Sequence, residues 1–172
     1  MQQLRLSGSG GQGVITAAII LAEAAIMEGK NAVQSQSYGP EARGGASKSE
    51  VIISEEAIYH PKVVCPEFVL ALTQQAAATY AKDMAGEGIL IIDEDLVPQP
   101  PAFGKIVKVP MTRLAKTALG RDLFTNIIAL GVLVKVTGVV SFAAIQQAVS
   151  KRVPPATIEK NMKALQLGYE AV

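Results

Sequence analysis

Four glycines fall within six residues in the stretch Gly8-Ser9-Gly10-Gly11-Gln12-Gly13. Gly8, Gly10 and Gly13 keep the G-x-G-x-x-G spacing of phosphate-cradling loops, and Gly11 is an extra glycine. A loop without side chains lets a ligand's phosphates reach the backbone, where N–H groups at a helix start face them. An NAD site would also need an acid about 20 residues further on, at the end of the second strand, to hold the ribose hydroxyls. Residues 33–38 are Val, Gln, Ser, Gln, Ser and Tyr, so that acid is missing. A second glycine-marked stretch follows, Tyr38-Gly39-Pro40-Glu41-Ala42-Arg43-Gly44-Gly45. Its Gly-Pro and Gly-Gly pairs mark a structured loop. Arg43 would offer a planar fork to phosphate or carboxylate, and Tyr38 a rigid contact surface. The plainer alternative is a turn-rich connection in which Glu41 and Arg43 are simply solvated.

Other chemistry-bearing residues are few. The chain has one cysteine, Cys65, and one histidine, His60. These cannot supply a disulfide framework, a four-cysteine zinc site or an iron–sulfur cluster from this chain alone. Cys65, next to Pro66, is expected as a small buried residue, and His60 as a surface or packing residue. Asp93-Glu94-Asp95 closes an apolar run and reads as a solvated turn, with a magnesium site the sharper alternative. Asn126 is expected to start a helix or to be a satisfied core polar group. No catalytic acid, base or nucleophile and no metal set stands out.

The 16 Lys and Arg balance 15 Asp and Glu, so there is no basic excess to grip a nucleic-acid backbone. Charged residues make up only 18% and hydrophobic ones 49%, a surface economy that favours a subunit covered by partners over a free monomer. A homodimer of the isolated chain is also expected. No apolar run approaches the roughly 20 residues of a membrane span. The glycine loop begins within ten residues of the start, with no signal-peptide pattern before it. A cytoplasmic protein without membrane contact is expected.

These residues need elements to hold them. A strand is expected over 2–7, with Leu4 and Leu6 on one face, then a helix over 12–28 whose apolar positions include Val14, Ile15, Leu21 and Ile26. A short strand over 31–35 would complete a parallel βαβ unit. Further strands are expected over 49–54, 68–72, 89–92 and 105–109, with residues 57–60 pairing nearby. Thr73 could cap a helix over 74–85. Pro98, Pro100 and Pro101 stiffen a connection. The last third reads as helices over 111–119, 123–137, 141–149 and 156–169, the last with a stripe of Ile158, Met162, Leu165 and Tyr169. The fold class is α/β: one Rossmann-like layered domain over 1–172, with a mostly parallel or mixed sheet and a helical C-terminal third packed on one face.

Together, the 8–14 stretch, the Ala-Glu-Ala-Ala helix and the 37–45 loop closely resemble the gamma subunit of 2-oxoacid:ferredoxin oxidoreductases. The resemblance runs through Val51-Ile52-Ile53-Ser54, Gly88-Ile89-Leu90-Ile91-Ile92, the Asn126 helix and the 161–169 stretch, essentially the whole chain. The Tyr-Gly-Pro-Glu-x-Arg-Gly-Gly loop looks most like the 2-oxoglutarate type, with pyruvate, ketoisovalerate and indolepyruvate types related. The resemblance implies a complex that converts a 2-oxoacid and coenzyme A to acyl-CoA and carbon dioxide, passing electrons to ferredoxin. It places thiamine diphosphate, magnesium and the iron–sulfur clusters in alpha, beta and ferredoxin-like delta partners. For this chain it implies support near the thiamine site and a share of coenzyme A binding. Gly8, Gly10, Gly11 and Gly13 would give backbone access, Gln12 a side-chain amide and Arg43 a phosphate partner. The loop Tyr38, Gly39, Pro40, Glu41, Arg43, Gly44 and Gly45 would face partners or the active site. Two alternatives stay open: a stand-alone nucleotide- or dinucleotide-binding enzyme, and a purely structural assembly subunit whose glycines serve packing.

Overall fold

The computed structural model of the chain describes residues 1–38 and 45–172. Six strands form one mixed sheet: β1 (Gln2–Ser9), β2 (Asn31–Tyr38), β3 (Ala46–Ser54), β4 (Phe68–Ala71), β5 (Ile89–Asp93) and β6 (Lys105–Val109). Their order across the sheet is β2-β3-β1-β4-β5-β6. Six α-helices accompany them: α1 (Val14–Met27), α2 (Gln74–Tyr80), α3 (Met111–Leu119), α4 (Thr125–Thr137), α5 (Phe142–Arg152) and α6 (Ile158–Glu170). The helical C-terminal third is as expected, and β6 and α3 begin and end where the pattern places them.

The βαβ expectation needs correction. β2 runs parallel to β1 in direction, but β3 lies between them and pairs antiparallel with both. β2 and β3 both continue further toward the loop than the apolar pattern suggests, because Gln36, Ser37 and Tyr38 pair with Ser49, Lys48 and Ser47 through backbone groups that ignore side-chain polarity. The parallel half is β1-β4-β5-β6, with Leu6 opposite Leu70 and Leu70 opposite Ile91. Residues 57–60 form no strand. Instead the segment beyond β3 is fastened to β1 by Gln3, whose Oε1 accepts from Val64 N at 2.9 Å and whose carbonyl accepts from Glu67 N at 2.9 Å.

Side-chain alternation sends the two faces of the sheet to two cores. Leu4, Leu6, Val51, Ile53, Leu70 and Ile91 meet α1 and the C-terminal helices. Val69, Ala71, Leu90 and Ile92 meet α2 and Val97 on the other side. Strands β4 and β5 are thus covered on both faces, which explains their continuous apolar runs. Thr73 caps α2 by accepting from Ala76 N at 3.2 Å, but the helix ends at Tyr80, short of the expected 85.

Helix α1 is buried along Ala17, Ala18, Leu21, Ala24 and Ala25, whereas Ile26 is 58% exposed, on the outer side of the helix with the half-buried Ile19 and Glu23. At its end Glu28 reaches back to the start of α5: Oε1 accepts from Ser141 N at 2.7 Å, and Oε2 accepts from Lys30 Nζ at 3.0 Å. Burial pushes the Glu28 carboxyl up, but the Ser141 and Lys30 contacts outweigh it and hold the group below its ordinary value.

The buried seam of α6 runs through Asn161, Ala164, Leu165 and Gly168, while Ile158, Met162 and Tyr169 are only half-buried. The shift comes from close backbone approach. A Cβ on Gly168 would stand 1.9 Å from Ile128 O, and one on Gly131 would stand 2.3 Å from Leu165 O. Small residues therefore form the α4–α6 contact, and the large ones flank it. Tyr169 packs at the rim on Phe142, ring centroids 4.3 Å apart. Among the described residues no helix is long and apolar enough to cross a membrane.

Strand β1, which carries the glycine loop, is pinned from the α2 side by Arg5. Its Nε donates to Glu50 Oε1 at 2.8 Å, Nη1 to Tyr80 O at 2.8 Å, and Nη1 and Nη2 form a fork on Asp83. The Arg5 side chain is 4% exposed. Burial works against its charge, yet Asp83 and Glu50 outweigh it and raise the guanidinium above its ordinary value. The Arg5 hydrogen bonds hold Asp83 below the usual carboxylate range against the opposing effect of burial. Lys48 Nζ adds a 2.8 Å bond to Glu50.

Candidate functional site

At the end of β1 the chain turns through Gly10–Gln12 into α1. The turn closes on itself twice: Gln12 N donates to Ser9 O at 3.2 Å, and Gln12 Oε1 accepts from Ser9 N at 2.7 Å. Gln12 therefore spends its carbonyl oxygen on the loop. Gly13 precedes the helix with φ +75°, in the left-handed region that glycine alone enters without cost, and its carbonyl accepts from Asn126 Nδ2 at 3.2 Å. Asn126, early in α4, is thus a satisfied polar group holding the loop from below.

The four glycines have different reasons to be there. A Cβ on Gly8 would sit 2.5 Å from Gln12 Oε1 and 3.2 Å from Val14 Cγ1, and one on Gly13 would sit 2.5 Å from Asn126 Nδ2. Those two serve close packing. Gly11 has φ +91° and open space around it. Gly10 has neither a positive φ nor any atom within 4 Å of a Cβ.

Gly10 and Gly11 with Gln12 form one wall of a cleft of about 480 Å³, within the range of roughly 300–1,000 Å³ usual for small-molecule sites. Thr112 and Lys116 of α3 with Arg121, Asp122 and Leu123 supply other walls, and Leu96 follows β5. The cleft sits at the carboxyl ends of the parallel strands. There α1 leaves β1 over one face and α2 leaves β4 over the other, the place where open α/β sheets bind ligands. The start of α1 has no side-chain cap and no acid in its first turn, so its N–H groups and dipole favour an anion.

Asp93 sets the opposite wall. It is buried, its Oδ1 accepts from Asp95 N at 3.1 Å and Leu96 N at 3.3 Å, and its Oδ2 accepts from Thr112 N at 2.8 Å and Thr112 Oγ1 at 2.7 Å. Glu94 and Asp95 pair with Arg113 at 3.4 and 3.3 Å. The acidic triplet is thus part solvated turn, as expected, and part buried clamp between β5 and α3. Among the described residues no three His, Cys, Asp or Glu side chains gather as a metal site. Cys65, expected inside, is exposed: the 61–65 segment runs over the surface while its neighbours Val63 and Pro66 turn in. His60 is exposed too.

The two glycine-marked stretches meet. Gly10 N donates to Gly45 O at 3.3 Å, joining the phosphate-type loop to the end of the second. Tyr38 closes β2 opposite Ser47 through its backbone. Gly39, Pro40, Glu41, Arg43 and Gly44 lie outside the described residues. With β3 between β1 and β2, the end of β2 is two strand spacings, roughly 10 Å, from the loop, so an NAD-type acid there would be displaced as well as missing. Sequence reasoning did not single out Lys116, Arg121, Leu96 or Leu123. For Lys116, Arg121 and Leu123 the local signal is the glycine stop at Gly120, whose φ of +77° ends α3, and Leu96 has none.

Comparison with known proteins agrees with the architecture. The family description "Pyruvate ferredoxin/flavodoxin oxidoreductase" matches residues 3–171. The 2-oxoglutarate synthase subunit KorC of Methanocaldococcus jannaschii is 46% identical over 173 residues, covering 98% of this chain and 92% of its own length. The crystal structure of a keto/oxoacid ferredoxin oxidoreductase gamma subunit from Geobacter sulfurreducens superposes with a TM-score of 0.90 at 48% identity, covering 99% of this chain and 98% of the other. A 2-oxoglutarate:ferredoxin oxidoreductase from Magnetococcus marinus, solved with 2-oxoglutarate, coenzyme A and succinyl-CoA bound, shares the fold at a TM-score of 0.86 and 20% identity, covering 99% of this chain and 30% of the other.

Proposed function

The chain belongs to the pyruvate ferredoxin/flavodoxin oxidoreductase family as a gamma subunit of a 2-oxoacid:ferredoxin oxidoreductase, and from that premise we propose that its glycine loop receives the pyrophosphate of coenzyme A. The complex converts a 2-oxoacid, by the KorC likeness 2-oxoglutarate, and coenzyme A to acyl-CoA and carbon dioxide, with electrons leaving to ferredoxin. Thiamine diphosphate, its magnesium and the iron–sulfur clusters sit in alpha, beta and ferredoxin-like partner subunits in the cytoplasm. Among the described residues no group of His, Cys, Asp or Glu side chains gathers as a metal set, and the covalent steps belong to the thiamine of the partner subunits. Its part is to bind and orient the thiol substrate near the thiamine site, and alone it is inactive.

Gly10 carries this proposal. Gly8 and Gly13 are accounted for by packing, which is what a purely structural subunit would require, and Gly11 by its backbone angle. Gly10 has room for a side chain and yet lines the cleft, where a side chain would take up space beside the uncapped start of α1. The same openness makes the test clean, because Gly10→Leu meets no atom at its Cβ and is expected to fold as the wild type does. In the reconstituted complex this variant is expected to raise the KM for coenzyme A roughly tenfold or more, the worth of one lost phosphate approach of about 1.4 kcal/mol. An unchanged KM with normal assembly would leave the loop with a packing role only.

A further inference from the structure

We propose that the β2 edge of the sheet is an interface at which two copies of this chain pair strand to strand, about a twofold axis passing near Ser35. The two edges of the sheet differ. β6 has five residues and places Lys105 and Lys108 in solvent, the kind of charge that keeps an edge strand from pairing. β2 has eight residues with no charge and no proline, and its pairing with β3 runs through all eight without a bulge. Asn31, Ser35, Gln36 and Ser37 on it are exposed, and among the described residues no strand lies beyond it. Because an antiparallel strand alternates the direction of its bonds, half of its residues turn N–H and C=O groups outward. A long edge without charge, proline or bulge is a template for another strand.

The occupant follows from self-complementarity. A twofold axis normal to the sheet pairs β2 with its copy antiparallel and keeps each face with its like. The row of Ala32, Gln34 and Gln36, opposite Ile53, Val51 and Ser49 on the α1 face, then meets the same row of the copy. On the other face Val33, Ser35 and Ser37 do likewise. Amides and hydroxyls both donate and accept, so each row suits itself, and neither carries a charge to repel its copy. A partner of another kind would be selected by opposite charge, and this edge has none to offer.

Helix α1 extends the same surface. It lies over β3 and β2, while α4 and α5 pack on it and α4 reaches β4 on the far side of β1. These helices therefore occupy the side of α1 away from β2. On the side left open, Ile15, Ile19, Ala22 and Ile26 fall in one row at helical spacing, with Ile15 and Ile19 half-buried and Ile26 exposed. With neighbouring strands about 4.8 Å apart, the twofold axis sets the two α1 axes roughly 10 Å from each other, the distance at which helices pack. The isoleucine row is then covered by its own copy, an isologous contact.

The test is the oligomeric state of the full chain by sedimentation, with circular dichroism to check folding. The wild type is expected at twice the chain mass. Gln36→Lys, which gives β2 the protection β6 has, and Ile26→Glu, on the helix row, are each expected to weaken the dimer by about tenfold or more with unchanged spectra. With the exposed Cys65 replaced by Ser, at least one of Gln34→Cys, Ser35→Cys and Gln36→Cys is expected to give a disulfide-linked dimer, and Lys105→Cys on the other edge none. A monomeric wild type overturns the proposal, as does a dimer that neither charge variant weakens. A dimer weakened by Ile26→Glu alone, with no link through β2, overturns the strand pairing. If the wild type is monomeric and Gln36→Lys instead blocks assembly with the thiamine-binding subunits, the edge belongs to one of those and not to a second copy.

Discussion

Two groups of charges in the same architecture behave in opposite ways. Around Arg5, every nitrogen of the guanidinium donates to an acceptor on β3, at the end of α2 or just beyond it, and the Glu50 side chain that receives Nε is 10% exposed. Around Lys116 and Arg121 the side chains stand in solvent, with one acid at 3.9 Å. The first group is expensive to disturb because its charges were taken out of water on the condition that they pair. The second has made no such exchange, so its binding capacity remains available. Charge that holds a fold is already satisfied, and charge that can bind a ligand is still in water.

Stability measurements can break this contrast. Arg5→Ala leaves Glu50 buried with Lys48 as its remaining cation, and the expected loss is about 3–5 kcal/mol in urea unfolding. Arg121→Ala is expected to stay within about 0.5 kcal/mol of wild type in the same experiment. Similar losses in both would remove the distinction.

The glycine turn gives a second, smaller contrast. Gly13→Ala forces a side chain into the left-handed region and against Asn126 Nδ2, for an expected cost of about 1–3 kcal/mol. Gly10→Leu, with open space and ordinary φ, is expected to unfold at the wild-type denaturant midpoint. An equal loss at both positions would mean that the whole turn, not half of it, is fixed by packing.

The smallest expected effect is that of acid on the Arg5 cluster. Because Asp83 is held below its ordinary 3.8, the folded state favours its ionised form. That contribution is present in full above the ordinary value and is lost as pH falls through the depressed one. Asp83→Asn should therefore be less stable than wild type near neutrality, with the gap closing as pH falls below about 4. A gap that stays constant with pH would show that Asp83 contributes shape and not charge.

Much of the fold can be read along the chain because the signals are local. The Phe68–Ala71 and Ile89–Asp93 strands announce themselves as unbroken apolar runs, Thr73 as a cap, and the C-terminal helices by spacing and by glycine stops at Gly120 and Gly138. Side-chain polarity misleads where backbone pairing decides, as at the loop end of β2. It misleads again where backbones touch: Gly131 and Gly168 move the α6 seam from Ile158 and Met162 to Asn161 and Ala164. Cys65 and Ile26 follow their residue types in the expectation and their positions in the structure, one on a surface segment and one on the outer side of α1.

By itself the sequence determined the glycine loop, the absence of an NAD acid, the helical last third and the family. Each depends on residue types at short spacing, and short spacing survives without knowledge of neighbours. Only the tertiary structure decided that β3 separates β1 from β2, that Gly8 and Gly13 are packing glycines while Gly10 faces a cleft, and that Lys116 and Arg121 stand across from it. Gly13 with Asn126, and Gly10 with Lys116 and Arg121, are joined across about a hundred positions, and no local pattern encodes that. Strand order and helix docking, set by which apolar faces can be buried together, place them in one site.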